Sequence, residues 1–126
     1  MLMELDFSTD VPIYLQIRNQ VVMGIADGRL NAGEKLPTIR ALAVETGINM
    51  MTVSKAYALL KQEGYIQTDR RSGAVVCGEI SSRGLLSPKV QQSLKLLTAE
   101  AVLAGLSRQD FLELCTQIYD ETEGAK

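Results

Sequence analysis

Side chains that suit hydrogen bonding to a polar or anionic surface lie close together in the middle of this sequence. Arg40 presents a planar fork of donors, Lys55 carries a compact positive charge, and Asn49 and Thr52 add short polar groups. An arginine fork matches the O6 and N7 acceptors of guanine, and lysine suits a phosphate group. The chemistry that these residues offer is therefore recognition of a nucleic acid rather than catalysis.

Catalytic and metal-binding residues are scarce in the same chain. Its 126 residues include no histidine, so a histidine-based triad, general base or metal cluster has no candidate. Cys77 and Cys115 are far apart, lack zinc spacing and lie in apolar runs, which favours reduced packing residues over a disulfide. No glycine-rich phosphate loop follows a predicted strand. We expect no enzyme activity, no metal ion and no cofactor.

Composition and charge describe one small domain with an appendage. The hydrophobic content of 46% is enough for a core, and the formal net charge is −2. Residues 12–76 nevertheless carry eight Lys/Arg against five Asp/Glu, a local excess of +3 that suits a modest, salt-sensitive contact with nucleic acid. The N-terminus is acidic, and no stretch approaches the roughly 20 apolar residues of a membrane span. We expect a cytoplasmic protein with no membrane partner.

A helix-turn-helix is the element that would position the polar residues. Thr38 suits the cap of a helix that ends at Gly47, and Asn49 suits the cap of a second helix that runs to about Glu63. The second helix has an apolar stripe of Val53, Ala56, Tyr57 and Leu60. In this motif the N-terminal end of the second helix meets base edges in the DNA major groove.

The flanking segments predict the winged form of the motif. A first helix is expected from about Pro12 to Asp27, with Asp10 as its cap. Strand-like runs at residues 65–68 and 74–77 are joined by a basic tip, which reads as a β-hairpin, the wing. The predicted fold class is mostly α with a small β-hairpin, a winged helix-turn-helix domain at residues 1–78.

The remaining chain predicts a linker at residues 79–87 and a two-helix C-terminal dimerisation tail at residues 88–126. The apolar stripes consist of Val90, Leu94, Leu97 and Ala101 on one helix, and Phe111, Leu114 and Ile118 on the other. Two short helices cannot bury both stripes by themselves. We expect a homodimer, in which two-fold symmetry would set two recognition helices roughly 34 Å or a multiple of it apart.

Several segments agree in order and spacing with a known family. They are residues 12–14 (PIY), 16–17 (QI), 33–43 (GEKLPTIRALA), 52–57 (TVSKAY) and 63–66 (EGYI). Over residues 12–76 the chain resembles the DNA-binding domain of the GntR family of bacterial transcription regulators, and its short tail is similar to the YtrA subfamily. The resemblance implies a homodimeric regulator, most often a repressor, of a near-palindromic double-stranded DNA operator. Genes of the subfamily often lie beside transporter genes, and the protein's own gene is a natural second target.

The candidate DNA contacts lie on both helices of the motif and on the wing. They are Arg40, Asn49, Met50, Met51, Thr52, Ser54, Lys55, Tyr57, Arg70, Arg71, Ser72 and Gly73. The resemblance implies that Arg40 reaches bases or phosphate near the recognition helix. Arg70 and Arg71 form the wing tip, which would contact the minor groove or its phosphates, unless it is a solvated loop.

Other candidates keep two roles open. Asn49 is a base contact or only a cap, and Tyr57 touches phosphate or packs in the core. Met50 and Met51 stand where family members commonly carry polar residues or proline. They either pack on a thymine methyl or a sugar, or fill space against the partner helix.

Two rival functions follow from the same residues. A winged helix can serve as a protein-interaction scaffold without DNA binding, although the basic segment and the Arg70-Arg71 tip argue against it. The tail could also enclose a cavity for an unknown small-molecule effector, but no convergent polar residues mark such a site.

Overall fold

A computed structural model describes residues 3–69, 73–78, 84 and 86–123. Five helices and one two-stranded antiparallel sheet follow each other as α1 (Ile13–Ala26), α2 (Ile39–Thr46), α3 (Met50–Gln62), β1 (Ile66–Asp69), β2 (Gly73–Val76), α4 (Pro88–Leu103) and α5 (Arg108–Glu123). This architecture confirms the predicted fold class. The chain divides into two compact units, of which the first ends at residue 80 and the second begins at residue 81. The division falls inside the segment predicted as a linker.

The start of α1 differs from the prediction. The N-cap residue is Pro12, whose carbonyl accepts backbone N–H bonds from Leu15 and Gln16 at 3.0 and 3.1 Å. The helix has no side-chain cap, so the expectation that Asp10 caps it is wrong. The proline ring fixes φ at −56°, and the extended ψ of 144° makes Pro12 itself the N-cap, so Asp10 lies two residues before the cap position.

Two glutamines of α1 hold the N-terminal segment against the helix. The Asp6 N–H donates to Gln16 Oε1 at 2.8 Å, and Gln16 Nε2 donates back to the Asp6 carbonyl at 2.7 Å. Gln20 makes the same reciprocal pair with the backbone of Glu4. These side chains satisfy backbone groups that have no strand partner. The residues of this segment that pack against the core are Met3 and Leu5.

The turn between α2 and α3 is built as the sequence predicts. Thr38 Oγ1 accepts the Ala41 N–H at 3.0 Å, and α2 ends at Thr46, followed by the C-cap Gly47 with φ of 72°. Asn49 Oδ1 then accepts the Met51 N–H at 2.7 Å. Residues with a side chain rarely adopt the left-handed backbone conformation. Glycine at position 47 adopts it readily and so allows the sharp change of direction. The caps and the turn fix where α3 begins.

The hairpin is joined to the segment that precedes α2. The register pairs Ile66 with Val76. Compared with the prediction, β1 is shifted one residue later along the chain and β2 one residue earlier. On the other edge of β2, the Leu36 N–H donates to the Ala74 carbonyl at 2.8 Å, and the Val76 N–H donates to the Glu34 carbonyl at 2.9 Å. The base of the wing is thereby fixed to the entry of the helix-turn-helix.

One core holds the first unit together, and α3 contributes to it along its whole length. The buried hydrophobic cluster consists of Ile17, Val21, Leu30, Leu36, Leu42, Ala43, Val53, Ala56, Tyr57, Leu60, Ile66, Ala74 and Val76. At the end of α3, Arg18 donates two hydrogen bonds to the Glu63 carboxylate, of 2.8 and 3.0 Å. This bond to Glu63 raises the pKa of Arg18, which keeps the guanidinium charged. The forked ion pair ties α1 to the C-terminal end of α3.

The second unit consists of two capped helices with much exposed apolar surface. Ser87 Oγ accepts the Val90 N–H at 3.3 Å, and Ser107 Oγ accepts the Asp110 N–H at 3.1 Å. Among the described residues of α4 and α5, none is buried. The large exposed apolar residues include Val90, Leu94, Leu96, Leu97, Val102, Leu103, Leu112, Leu114 and Ile118. No helix in the described part of the chain is both long and apolar enough to cross a membrane.

We expect Ile17→Ala to lower the free energy of unfolding by about 2 to 5 kcal/mol, because it opens a cavity at a fully buried position of the core. Urea unfolding at a fixed protein concentration measures the loss. The matched control is Met23→Ala, on an exposed part of the same helix, which should change stability by less than about 0.5 kcal/mol. Equal effects of the two changes would contradict the assignment of the core.

Candidate nucleic-acid interface

Helix α3 has one buried face and one bare face. Val53, Ala56, Tyr57 and Leu60 are buried in the core. Met51, Ser54, Lys55 and Ala58, spaced three or four residues apart, are exposed and share the opposite side of the helix. The half-buried residues Thr52 and Leu59 lie between the two faces. The helix therefore presents a continuous outer strip that begins at its capped N-terminal end.

Asn49 both caps α3 and keeps a free donor. Its Oδ1 is taken up by the Met51 N–H, and the residue is exposed. Within the described residues its Nδ2 group makes no hydrogen bond. The cap and the base contact are thus compatible roles. Thr52, in the first turn of the helix, is half-buried.

Lys55 is held against the first turn of α1. Its Nζ lies 4.0 Å from the centroid of the Tyr14 ring, close enough for a cation–π interaction. The contact restricts the long lysine side chain without neutralising its charge. A positive charge is thereby positioned where the bare face of α3 meets the start of α1.

Arg40 lies on the exposed side of α2, beside the buried residues Leu42 and Ala43. It makes no ion pair or hydrogen bond with the residues that the structure describes. One turn further along the same helix, Val44 is 78% exposed. Val44 is not among the predicted contacts, although its spacing of four residues places it on the same face of α2 as Arg40.

Met50 and Met51 are 46% and 80% exposed. Met51 therefore does not fill space between α2 and α3, which was one of the two roles left open for it. Its side chain belongs to the outer strip of α3. Its apolar surface, at the leading end of the helix, is available for an external contact.

Tyr57 takes the packing role among its two alternatives. It is 4% exposed, and its hydroxyl donates to the Pro37 carbonyl at 2.7 Å. Burial, assisted by the negative charge of Glu45, raises the pKa of Tyr57 to about 12. The hydroxyl is engaged inside the protein, where it links the middle of α3 to the residue before the α2 cap.

The wing tip falls partly outside the described residues. Arg70, Arg71 and Ser72 lie there, so the predictions made for them remain predictions. Gly73 is described: it opens β2 opposite Asp69 with φ of 68°. Glycine suits this left-handed conformation at the point where the chain returns from the tip.

A surface groove of about 750 Å³ lies beside the N-terminal segment. Its lining residues are Glu4, Gln20, Met23, Gly24, Arg29, Leu30 and Glu34. Arg29 is already paired with Asp27 at 2.7 Å. Among the described residues, no group of three His, Cys, Asp or Glu side chains could hold a metal ion.

The capped turn, the two-faced α3 and the anchored hairpin define the class of this unit as a winged helix-turn-helix. A family model described as "Bacterial regulatory proteins, gntR family" matches residues 13–76. The chain belongs to the gntR family.

Relatives of nearly equal length agree with this assignment. The "HTH-type transcriptional repressor YtrA" of Bacillus subtilis (strain 168) is 33% identical over 128 residues, covering 99% of this chain and 98% of that protein. The solved structure of YtrA from Sulfolobus acidocaldarius, a GntR-family transcription factor, is 33% identical, with a TM-score of 0.58 over 94% of this chain and 97% of that one. A structure titled as a transcriptional antiterminator from Listeria monocytogenes EGD-e is 27% identical, with a TM-score of 0.85 over 97% and 92% of the two chains.

These findings confirm the predicted resemblance to the YtrA-type members of the family. They also confirm the prediction of a DNA-binding transcriptional regulator with a winged-helix domain and a helical tail. Nothing in them favours the alternative of a scaffold that does not bind DNA.

We expect Tyr57→Phe to lower the free energy of unfolding at pH 7 by about 1 kcal/mol, since it removes the bond to Pro37. The pKa of Tyr57 lies near 12 in the folded protein and near 10 in an unfolded chain. The unfolded state therefore loses its proton first, and stability should fall as pH rises from about 10 to 12.

The measurement is urea unfolding at several pH values, with absorbance at 295 nm to follow tyrosine ionisation. The phenylalanine variant should show a smaller alkaline loss of stability than the wild type. Tyr119→Phe, at an exposed position of α5, is the control and should keep the full loss. An unchanged profile in Tyr57→Phe would count against the buried hydroxyl.

Proposed function

We propose that this protein is a homodimeric repressor that binds a near-palindromic double-stranded DNA operator through the bare strip of α3. The observation that carries the proposal is the two-faced α3, whose outer strip starts at a capped N-terminus while its inner face is fully buried. An N-terminal end of this kind is the part of a recognition helix that meets base edges. The Bacillus relative named as a repressor supports the direction of regulation.

The proposed contacts separate into base-reading and phosphate-binding groups. Arg40, Asn49 and Thr52 are assigned to base edges or nearby phosphates. Lys55 and Ser54 are assigned to the phosphate backbone, which positions the protein without reading sequence. The wing residues Arg70, Arg71, Ser72 and Gly73 are assigned to the minor groove. Tyr57 leaves the contact set and acts instead by holding α3 in place.

A second copy of the chain is the proposed cover for the apolar faces of α4 and α5. Leu94 and Ile118, one from each apolar stripe, are 46% and 51% exposed. Helices of this length are marginal in water unless an apolar face is packed. In this proposal residues 1–78 bind DNA, residues 79–87 link, and residues 88–126 dimerise through Val90, Leu94, Leu97, Ala101, Phe111, Leu114 and Ile118.

The proposal has consequences for where and how the protein acts. A regulator of chromosomal DNA works in the bacterial cytoplasm, without enzyme activity, metal or cofactor. The proposed targets are its own promoter and a transporter operon. The groove beside the N-terminal segment is one place at which a small-molecule effector should be sought.

We expect Arg40→Gln to weaken operator binding by about 10- to 100-fold, because a bidentate arginine contact is worth roughly 1 to 3 kcal/mol. Fluorescence anisotropy with a duplex from upstream of the protein's own gene, compared with a scrambled duplex, measures the loss. The control is Lys95→Gln, which removes the same charge from α4. Equal losses of affinity in both variants would mean that Arg40 contributes only its positive charge and makes no specific contact.

We expect Leu94→Asp and Ile118→Asp to convert a dimer to a monomer, since each places a charge in the proposed interface. Sedimentation equilibrium measures the mass, and circular dichroism checks that the winged domain stays folded. The matched control is Leu103→Asp, outside the predicted stripes, which should remain dimeric. A wild-type protein that is monomeric at micromolar concentration would contradict the proposed role of the tail.

A further inference from the structure

The outer strip of α3 is short of groups that can read bases by hydrogen bonding. Over the first two turns of α3 it consists of Met51, Ser54, Lys55 and Ala58, and the exposed Gln62 follows one turn further, at the C-terminal end of the helix. Lys55 already rests on the Tyr14 ring. The most exposed apolar group on the helix therefore stands at the end that enters the groove first.

We propose that Met51 reads the C5-methyl group of a thymine in each half-site of the operator. The inference rests on the proposed operator binding and deepens it, because it names the base that the helix selects. In the major groove the thymine methyl is the apolar feature that distinguishes A·T from G·C. A methionine thioether has no strong donor but adapts its shape to an apolar partner.

The position of Met51 in the helix suits this contact. It is the second residue of α3, and helical side chains slant towards the N-terminal end. Its backbone N–H is held by Asn49, so the first turn is ordered before DNA arrives. With 80% of Met51 exposed, its apolar surface is available to be buried on the operator.

The same contact would reject the wrong base pair. A methionine pressed against guanine or cytosine would strip water from the O6, N7 or N4 groups and return no hydrogen bond. Discrimination at this base pair therefore has an attractive part, burial of the methyl, and a repulsive part, desolvation without a partner. Ala58, lower on the same strip, is too short to reach as deeply.

The test replaces thymine by deoxyuridine, which removes the methyl group and keeps every hydrogen-bonding group of the base. The probe is the duplex protected in footprinting of the gene's own upstream region, or one selected from a random library. Each thymine of the half-site is replaced in turn, symmetrically in both halves. At one position we expect affinity to fall about 4-fold per half-site, or roughly 15-fold for the two together.

The Met51→Ala variant completes the cycle. It should bind the thymine operator more weakly than the wild type, and it should no longer distinguish thymine from deoxyuridine at that position. Met51→Leu keeps an apolar side chain and should retain most of the discrimination. Phe7→Ala, at an exposed site of the N-terminal segment, is the control and should behave as the wild type.

The outcomes separate the inference from the function beneath it. Specific binding that is indifferent to deoxyuridine at every position, or equally sensitive in wild type and Met51→Ala, overturns the thymine contact and leaves the regulator intact. Failure to find any duplex bound specifically, even at low salt, overturns the proposed operator binding and the inference with it. If the wild type distinguishes thymine from deoxyuridine and Met51→Ala does not, the result supports both the thymine contact and the operator binding.

Discussion

The burial of the inner face of α3 is the constraint on which the rest of the structure depends. Val53, Ala56 and Leu60 have no exposed surface, so the helix cannot rotate about its axis without uncovering them. The Tyr57–Pro37 bond holds its middle, and the Arg18 fork holds its far end through Glu63. The direction of the outer strip is thus set by groups that are buried in the core or bonded within the protein.

The ion pairs of the first unit leave the local excess of positive charge unchanged. Arg18 and Arg29 are paired with Glu63 and Asp27, so the eight Lys/Arg and five Asp/Glu of residues 12–76 become six against three, still an excess of +3. Arg40 and Lys55 make no ion pair with the residues that the structure describes. Counterion release scales with the number of phosphates that are neutralised, so an excess of this size on one copy of the chain gives limited affinity. A binding unit of this kind gains most from being used twice on one duplex.

The parts of the fold that depend on residues close together in sequence were predictable, and those that depend on residues far apart in sequence were not. The caps at Thr38 and Asn49 and the turn at Gly47 depend on neighbours two or three residues away, which can be read from the sequence. The glutamine pairs of α1 join residues 10 and 16 positions apart, and nothing local announces them. The polar face of α3 was recognisable from residue types, but the exposure of Met51 needed the packing of the whole domain.

The attachment of the N-terminal segment has a consequence for how this chain can drift in evolution. Gln16 and Gln20 bind backbone groups, and every residue except proline offers the same N–H and carbonyl. The attachment by the glutamines therefore places no demand on the side chains at positions 4 and 6. The constraint of this contact falls on Gln16 and Gln20, so the two glutamines should persist in sequences that differ at those two positions.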